Sequence, residues 1–203
     1  MMLEFIEETH TYLLDGVVIP SVTQILDILG GYEVIPKAVL QKAADRGTAV
    51  HKATELSDLG ELDYSDLDDE ILGYLMGWHK FLDDKKPELV AIEHRTHHDG
   101  FKYAGTLDRE LILDGYLSVL DIKSSFRLMP TTAPQTAAYM EAVNWHRKSK
   151  SDHIKRRYGL RLTKDGQYEL ERYKDPADIN IFMSALNCYR WIAKNSTKPK
   201  VKP

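Results

Sequence analysis

The chain has 203 residues, 43% of them hydrophobic and 29% charged, with a formal net charge of −4. These values suit a globular protein large enough to bury a core. No apolar run approaches the ~20 residues of a membrane span, and the N-terminal MMLEFIEETH carries acids where a secretory leader carries Lys or Arg; no membrane partner and a cytoplasmic location are expected. Cys188 is the only cysteine, which excludes an internal disulfide and any all-cysteine zinc or iron–sulfur centre within one chain.

The net charge alone does not suggest a nucleic-acid binder, but its distribution is uneven. Residues 55–70 are acid-rich, 146–157 (HRKSKSDHIKRR) are basic, and the tail KNSTKPKVKP is only positive. Both basic stretches read equally as solvated surface or as tracks for a phosphate backbone.

In chain order, HTYLLDGVVIPS reads as a hairpin turning at Asp15-Gly16. Ser21 caps a short helix that stops at Gly30-Gly31. Pro36 opens a helix to about Leu56, with Ala38, Val39, Ala43, Val50 and Ala53 as its core stripe. A further helix covers about 67–83, and Pro87 ends the helical half. The period then changes: ELVAIEHRTHH and FKYAGTLDRELIL are strands about Asp99-Gly100, and YLSVLDIKSS follows across Asp114-Gly115. A helix runs on from Pro134, a second hairpin turns at Asp165-Gly166, and Asp175-Pro176 starts a last helix ending near Lys194. The expected class is α/β (α+β), a central sheet between helices. It is organised as one unit over 1–203: an N-terminal hairpin and short helix (1–35), a core (36–174), and a C-terminal helix with basic tail (175–203).

The turns fix a register. A two-residue loop at Asp114-Gly115 pairs Leu113 with Tyr116 and sets Asp108 opposite Asp121 and Thr106 opposite Lys123. A two-residue loop at Asp99-Gly100 sets Glu93 beside Thr106. Alternation then gathers Glu93, Thr106, Asp108, Asp121 and Lys123 on one face. Opposed carboxylates are destabilising unless a proton or cation lies between them, and a hard divalent ion such as Mg²⁺ or Mn²⁺ meets that demand. The alternative is a structural Asp121–Lys123 ion pair with Asp108 at a solvated edge. His51 and Glu55 are four apart on a helix: His51 reads as a structural or surface histidine or as a third ligand, Glu55 as a solvated residue or as a support; Gly47 in the same helix implies close packing or approach to a ligand. Gln135 and Tyr139 are likewise four apart. The cluster His94, His97 and His98 could suggest a zinc site, but it lies at the hairpin tip beside Asp99-Gly100 and only His94 and His98 share a strand face, so it reads as solvated or facing nucleic acid.

RGTAVH, Glu93, GTLD, LDIKSS and QTAAY, in this order over about residues 46–139, resemble the PD-(D/E)XK nuclease superfamily, in its RecB-like and phage-type exonuclease branch. The resemblance implies a restriction-endonuclease-like core: a central mixed sheet flanked by helices. It implies His51, Asp108, Asp121 and the Ile122 carbonyl as metal ligands and Lys123 as the catalytic lysine. Glu93 is an acidic position of less fixed role. Gln135, Tyr139, Ser124, Glu55 and Arg46 become supporting or substrate-binding positions. The implied activity is a Mg²⁺- or Mn²⁺-dependent deoxyribonuclease, an exonuclease of phage or prophage recombination or of DNA repair. Linear DNA with a free end, further copies of the chain, and a single-strand annealing or recombination protein are its implied partners. With one cysteine, the four-cysteine iron–sulfur cluster of some members is excluded. A non-cleaving DNA-end binding module and a structure- or sequence-specific endonuclease are the competing readings.

Overall fold

The computed structural model describes residues 1–30 and 36–196. Gly31 and the end of the basic tail lie outside them. The chain opens with a three-stranded antiparallel sheet, β1 (Leu3–Ile6), β2 (Thr11–Leu14) and β3 (Val17–Ile19). Asp15 and Gly16 both take positive φ, 50° and 76°, the conformation a type I′ turn demands. β1 is an addition to the sequence reading: four residues are too few to display a period. Ser21 and Gln24 form a capping box at α1 (Val22–Leu26).

α2 (Lys37–Leu59) and α3 (Asp69–Lys85) come next. The core stripe foreseen on α2 is shorter than expected. Val50 and Ala53 are buried, whereas Val39 is 56% exposed and Ala38 lies in the open; among the described residues, α2 meets the protein only over its later turns.

Five strands then build a mixed sheet in the order β4 (Glu88–His98), β5 (Tyr103–Leu113), β6 (Tyr116–Lys123), β7 (Arg156–Leu162), β8 (Tyr168–Tyr173). Every pairing is antiparallel except β6 with β7. That parallel pair needs a crossover, which α4 (Thr132–Trp145) supplies; α5 (Asp178–Asn195) closes the described chain. Helices cover both faces. One apolar cluster joins Val22 of α1, Ala138 of α4 and Phe182 of α5 to Tyr103, Leu107 and Val119. The other joins Val50 of α2 and Trp78 of α3 to Leu111, Leu120 and Tyr158.

Leu107 and Leu111 lie four apart on β5 yet pack into opposite clusters, so the strand changes the face it presents between them. On β4, Glu93 takes φ 47°, between the pairs Ile92↔Arg109 and His94↔Leu107. Two neighbouring strands therefore kink together at Asp108.

The basic segment 146–157 is more structural than its composition suggests. Arg147 bonds the buried Glu110. Arg157, 5% exposed, donates to Asp178 and to the Ala133 and Asp175 carbonyls. Arg156 lies 3.4 Å from the Tyr116 ring centroid.

A buried ion pair ties the kink to the α2–α3 layer. Arg109 is fully buried and donates from Nε to Asp58 Oδ2 at 2.7 Å, from Nη2 to Thr54 Oγ1 at 3.1 Å and from Nη1 to the Asp108 carbonyl at 2.6 Å. Trp78 donates to the other Asp58 oxygen at 2.8 Å. Burial raises the Asp58 carboxyl above its usual range even against Arg109. Arg109→Met leaves Asp58 charged and unpaired, so it should cost about 3–5 kcal/mol and lower Tm by about 10 °C. Adding Asp58→Leu should return part of that loss in denaturant unfolding; a double variant no better than the single one would contradict the pairing.

Candidate active site

The site sits where β5 and β6 part. Their ladder runs from Leu113↔Tyr116 to Arg109↔Leu120 and stops there. One step on, where the turn-derived register sets Asp108 against Asp121, the link is made by a side chain: Asp108 Oδ2 accepts the Ile122 amide at 2.5 Å. The Asp114-Gly115 turn has the expected two residues. The Asp99-Gly100 turn does not: it runs over residues 99–102, closed by Lys102 N–H to the His98 carbonyl at 2.7 Å, with Lys102 at φ 44°. The β4 register therefore moves by two. Arg95, not Glu93, pairs with Thr106, and Glu93 comes to the level of Asp108. A shift of two keeps side-chain parity, so Glu93 still reaches the site.

His51, Glu93, Asp108 and Lys123 open into one cleft of about 700 Å³, with Asp121 beneath it at 1% exposure. His51 Nδ1 lies 3.4 Å from Asp108 Oδ1 and 4.0 Å from Glu93 Oε1. Glu93 Oε1 also lies 3.2 Å from Arg109 Nη1, which links the buried ion pair to the cleft. Lys123 Nζ lies 2.7 Å from Asp121 Oδ2. The ion pair weighed from sequence is thus present, and the second aspartate is held by His51 and the Ile122 amide.

Electrostatics follow from burial. Desolvation and the Asp108 charge push Glu93 up to about 7. Desolvation pushes Asp121 up to about 6 against the pull of Lys123. Desolvation raises Asp108 too, but His51, Lys123 and the Ile122 amide outweigh it and hold that carboxyl below its usual value. His51 moves up, because Asp108 outweighs its burial. The ligand atoms of His51, Glu93 and Asp108 lie within 4.8 Å of one another. Asp121 Oδ1 is buried with no hydrogen-bond partner among the described residues. One imidazole and three carboxylates, one oxygen of them buried and bare, fit a hard divalent cation.

The helix pair also reaches the cleft. Gln135 Nε2 donates to Tyr139 Oη at 3.2 Å, and both side chains are largely buried. Gly105 makes room for them: a Cβ there would come 2.6 Å from Tyr139 Cε1. Gly47 has a different reason, since a Cβ would meet nothing closer than Ser124 Oγ at 3.9 Å; it lines the cleft without being forced by packing. Glu55 lines the cleft while bonded to Lys52 at 2.9 Å. Arg46 and Ser124 instead border a neighbouring depression with Phe126 and Arg161.

Sequence reasoning passed over Arg95 and Tyr12. Arg95 lines the cleft two residues after Glu93, its guanidinium 4.6 Å from the Phe5 ring centroid; strand alternation from Glu93 was the available signal. The Tyr12 hydroxyl bonds Thr106 Oγ1 at 2.7 Å, a contact across 94 residues that no local pattern marks. The histidine cluster is also regrouped. His98 is 1% exposed and lies with its ring 4.2 Å from that of Trp145, His94 bonds Glu110, and His97 joins Asp99; the expectation of a solvated cluster fails for His98.

No protein-family profile and no curated protein matches this sequence. Solved structures do. LHK-Exo in complex with dAMP superposes with a TM-score of 0.50 at 10% identity, over 88% of this chain and 89% of its own. A second structure, of the alkaline exonuclease LHK-Exo from Laribacter hongkongensis, gives 0.48 at 8% identity over 87% and 88%. At such identity the likeness establishes the fold: the mixed sheet between helices is shared with LHK-Exo.

The raised groups set a pH dependence for the metal-free protein. The folded chain holds protons on Glu93, Asp121 and His51 that the unfolded chain releases more readily, so each contributes stability that is lost as pH rises through its folded value. Asp108, depressed, acts only below its usual carboxyl range. In EDTA, Tm should therefore fall between pH 5.5 and 8. The fall should be smaller in Asp121→Asn, and Mg²⁺ or Mn²⁺ should restore more Tm at pH 8 than at pH 5.5. A metal-induced shift independent of pH would contradict the assignment.

Proposed function

We propose that this protein is a metal-dependent deoxyribonuclease that hydrolyses DNA phosphodiesters from an end. The observation that carries the reading is the convergence of His51, Glu93, Asp108 and a bare Asp121 oxygen beside the Lys123 ammonium. A fold shared with an exonuclease solved with dAMP supports DNA as substrate and a mononucleotide as product. His51, Asp108, Asp121 and the Ile122 carbonyl would hold Mg²⁺ or Mn²⁺, with Glu93 beside them. Such an ion supplies a water made acidic enough to attack and neutralises charge on the phosphoryl oxygens.

The chain's own groups do the rest. Asp108, fixed by the Ile122 amide, presents its other oxygen to the cleft. Glu93, with a value near 7, gives up its proton around neutrality and can take one from an attacking water. In the metal-free protein Lys123 neutralises Asp121. With a cation held by Asp121, the ammonium would be released toward a phosphate oxygen or the attacking water, where a fixed positive charge would stabilise the transition state. Tyr139, kept protonated by burial, and Gln135 buttress that wall of the cleft. Arg95 and Lys52 offer charge to neighbouring phosphates, so binding should weaken with salt.

The test is an end-labelled linear duplex incubated with Mg²⁺ or Mn²⁺. Wild type should release mononucleotides and stop in EDTA, and Lys123→Ala should lower the rate by about 10²–10³-fold while keeping its fold. Covalently closed circles should survive. Equal digestion by wild type and Lys123→Ala, or digestion in EDTA, overturns the reading. Discrete fragments from closed circles would make it an endonuclease, and metal-independent binding without cleavage would make it a DNA-end binding module.

A further inference from the structure

We propose that His97, Asp99 and His146 form a second metal site, separate from the cleft, that takes a borderline transition cation of the zinc type. His97 is the last residue but one of β4, Asp99 begins the four-residue turn, and His146 caps the C-terminus of α4. Their ligand atoms lie within 4.8 Å of one another. His97 Nε2 is 3.1 Å from Asp99 Oδ1, and His146 Nδ1 is 4.0 Å from Asp99 Oδ2.

Two observations beyond proximity point to a ligand. His146 Nε2 lies 2.8 Å from the His97 carbonyl oxygen. A carbonyl only accepts, so Nε2 carries the hydrogen and Nδ1 of the neutral ring carries the lone pair, on the side of Asp99. An imidazole whose far nitrogen is fixed by a backbone carbonyl is the arrangement that orients metal-ligating histidines. Trp145 Nε1 likewise donates to Asp99 Oδ2 at 3.1 Å and orients the carboxylate. Secondly, His97 Nε2 and Asp99 Oδ1 are both shut from solvent and face each other at 3.1 Å; neither has another partner among the described residues. A shared cation satisfies both.

The donor set decides the class of ion. Two imidazoles and one carboxylate suit Zn²⁺, whereas the carboxylate-rich cleft suits Mg²⁺ or Mn²⁺. Tetrahedral bonds of about 2.0–2.2 Å place ligand atoms about 3.3 Å apart, which small side-chain rotations achieve here. His146 is 39% exposed at its side chain, so a fourth position stays open to water. Bound there, the ion staples the end of α4 to the β4 hairpin, at the opposite end of the helix from Gln135. It requires the His97 tautomer that leaves the lone pair on Nε2.

The experiment is titration of the full chain with ZnCl₂ alone, by calorimetry and by the visible absorption of Co²⁺ in its place, using Asp108→Ala to disable the cleft. That variant should keep one Zn²⁺ equivalent, give the intense absorption of four-coordinate Co²⁺, and gain about 5 °C in Tm at a hundredfold excess over Kd. Adding His146→Ala, or Asp99→Asn should the first unfold, should abolish all three. Loss of Zn²⁺ binding in Asp108→Ala with His97, Asp99 and His146 intact, or an affinity within twofold after either added substitution, overturns the site. The outcome is independent of nuclease activity.

Discussion

The structure depends on the single hydrogen bond from the Ile122 amide to Asp108. A backbone ladder that stops inside a sheet leaves buried donors to satisfy. Here a side-chain carboxylate does so, and the same act commits that carboxylate to a position over the gap. His51 above all, with Lys123 and the Ile122 amide, stabilises Asp108 as the anion, while burial makes Asp121 and Glu93 resist charge. One fixed anion beside two reluctant ones makes a site that a proton can half satisfy and a divalent cation can satisfy fully.

Arg109 carries that geometry into the core. It binds the Asp108 carbonyl and Glu93 on one side and Asp58 on the other, with Trp78 closing the set. The guanidinium is thus a strut between the α2–α3 layer and the kink in β5, and it explains why a fully buried arginine stands next to the aspartate of the cleft. Asp58 belongs to the acid-rich stretch 55–70, yet its side chain is buried against Arg109.

Much of the site was legible because two-residue turns and strand alternation are strict rules. Asp114-Gly115 behaved as a two-residue loop, so the level of Asp108 with Asp121 came from counting. Asp99-Gly100 misled because Phe101 and Lys102 extend the turn, with Lys102 in the left-handed region where glycine is expected. The error was even, so the faces survived and only the partners moved. Illegible features were those set by contacts distant in sequence: Arg109 with Asp58, Tyr12 with Thr106, His146 with Asp99. The change of face on β5 was equally hidden, since Leu107 and Leu111 carry the same pattern and find different cores. Charge runs were the weakest guide, because Arg147 and Arg157 are spent on internal partners.

A cation-binding role for the Asp108 gap is open to a direct test. The most direct measurement is a crystal of the full chain soaked in Mn²⁺, with anomalous scattering recorded at the manganese edge. A peak is expected about 2.2 Å from oxygens of Asp108 and Asp121 and close to His51, with Lys123 turned away from Asp121. A cleft without a peak, with Lys123 still paired to Asp121 at saturating Mn²⁺, would contradict it.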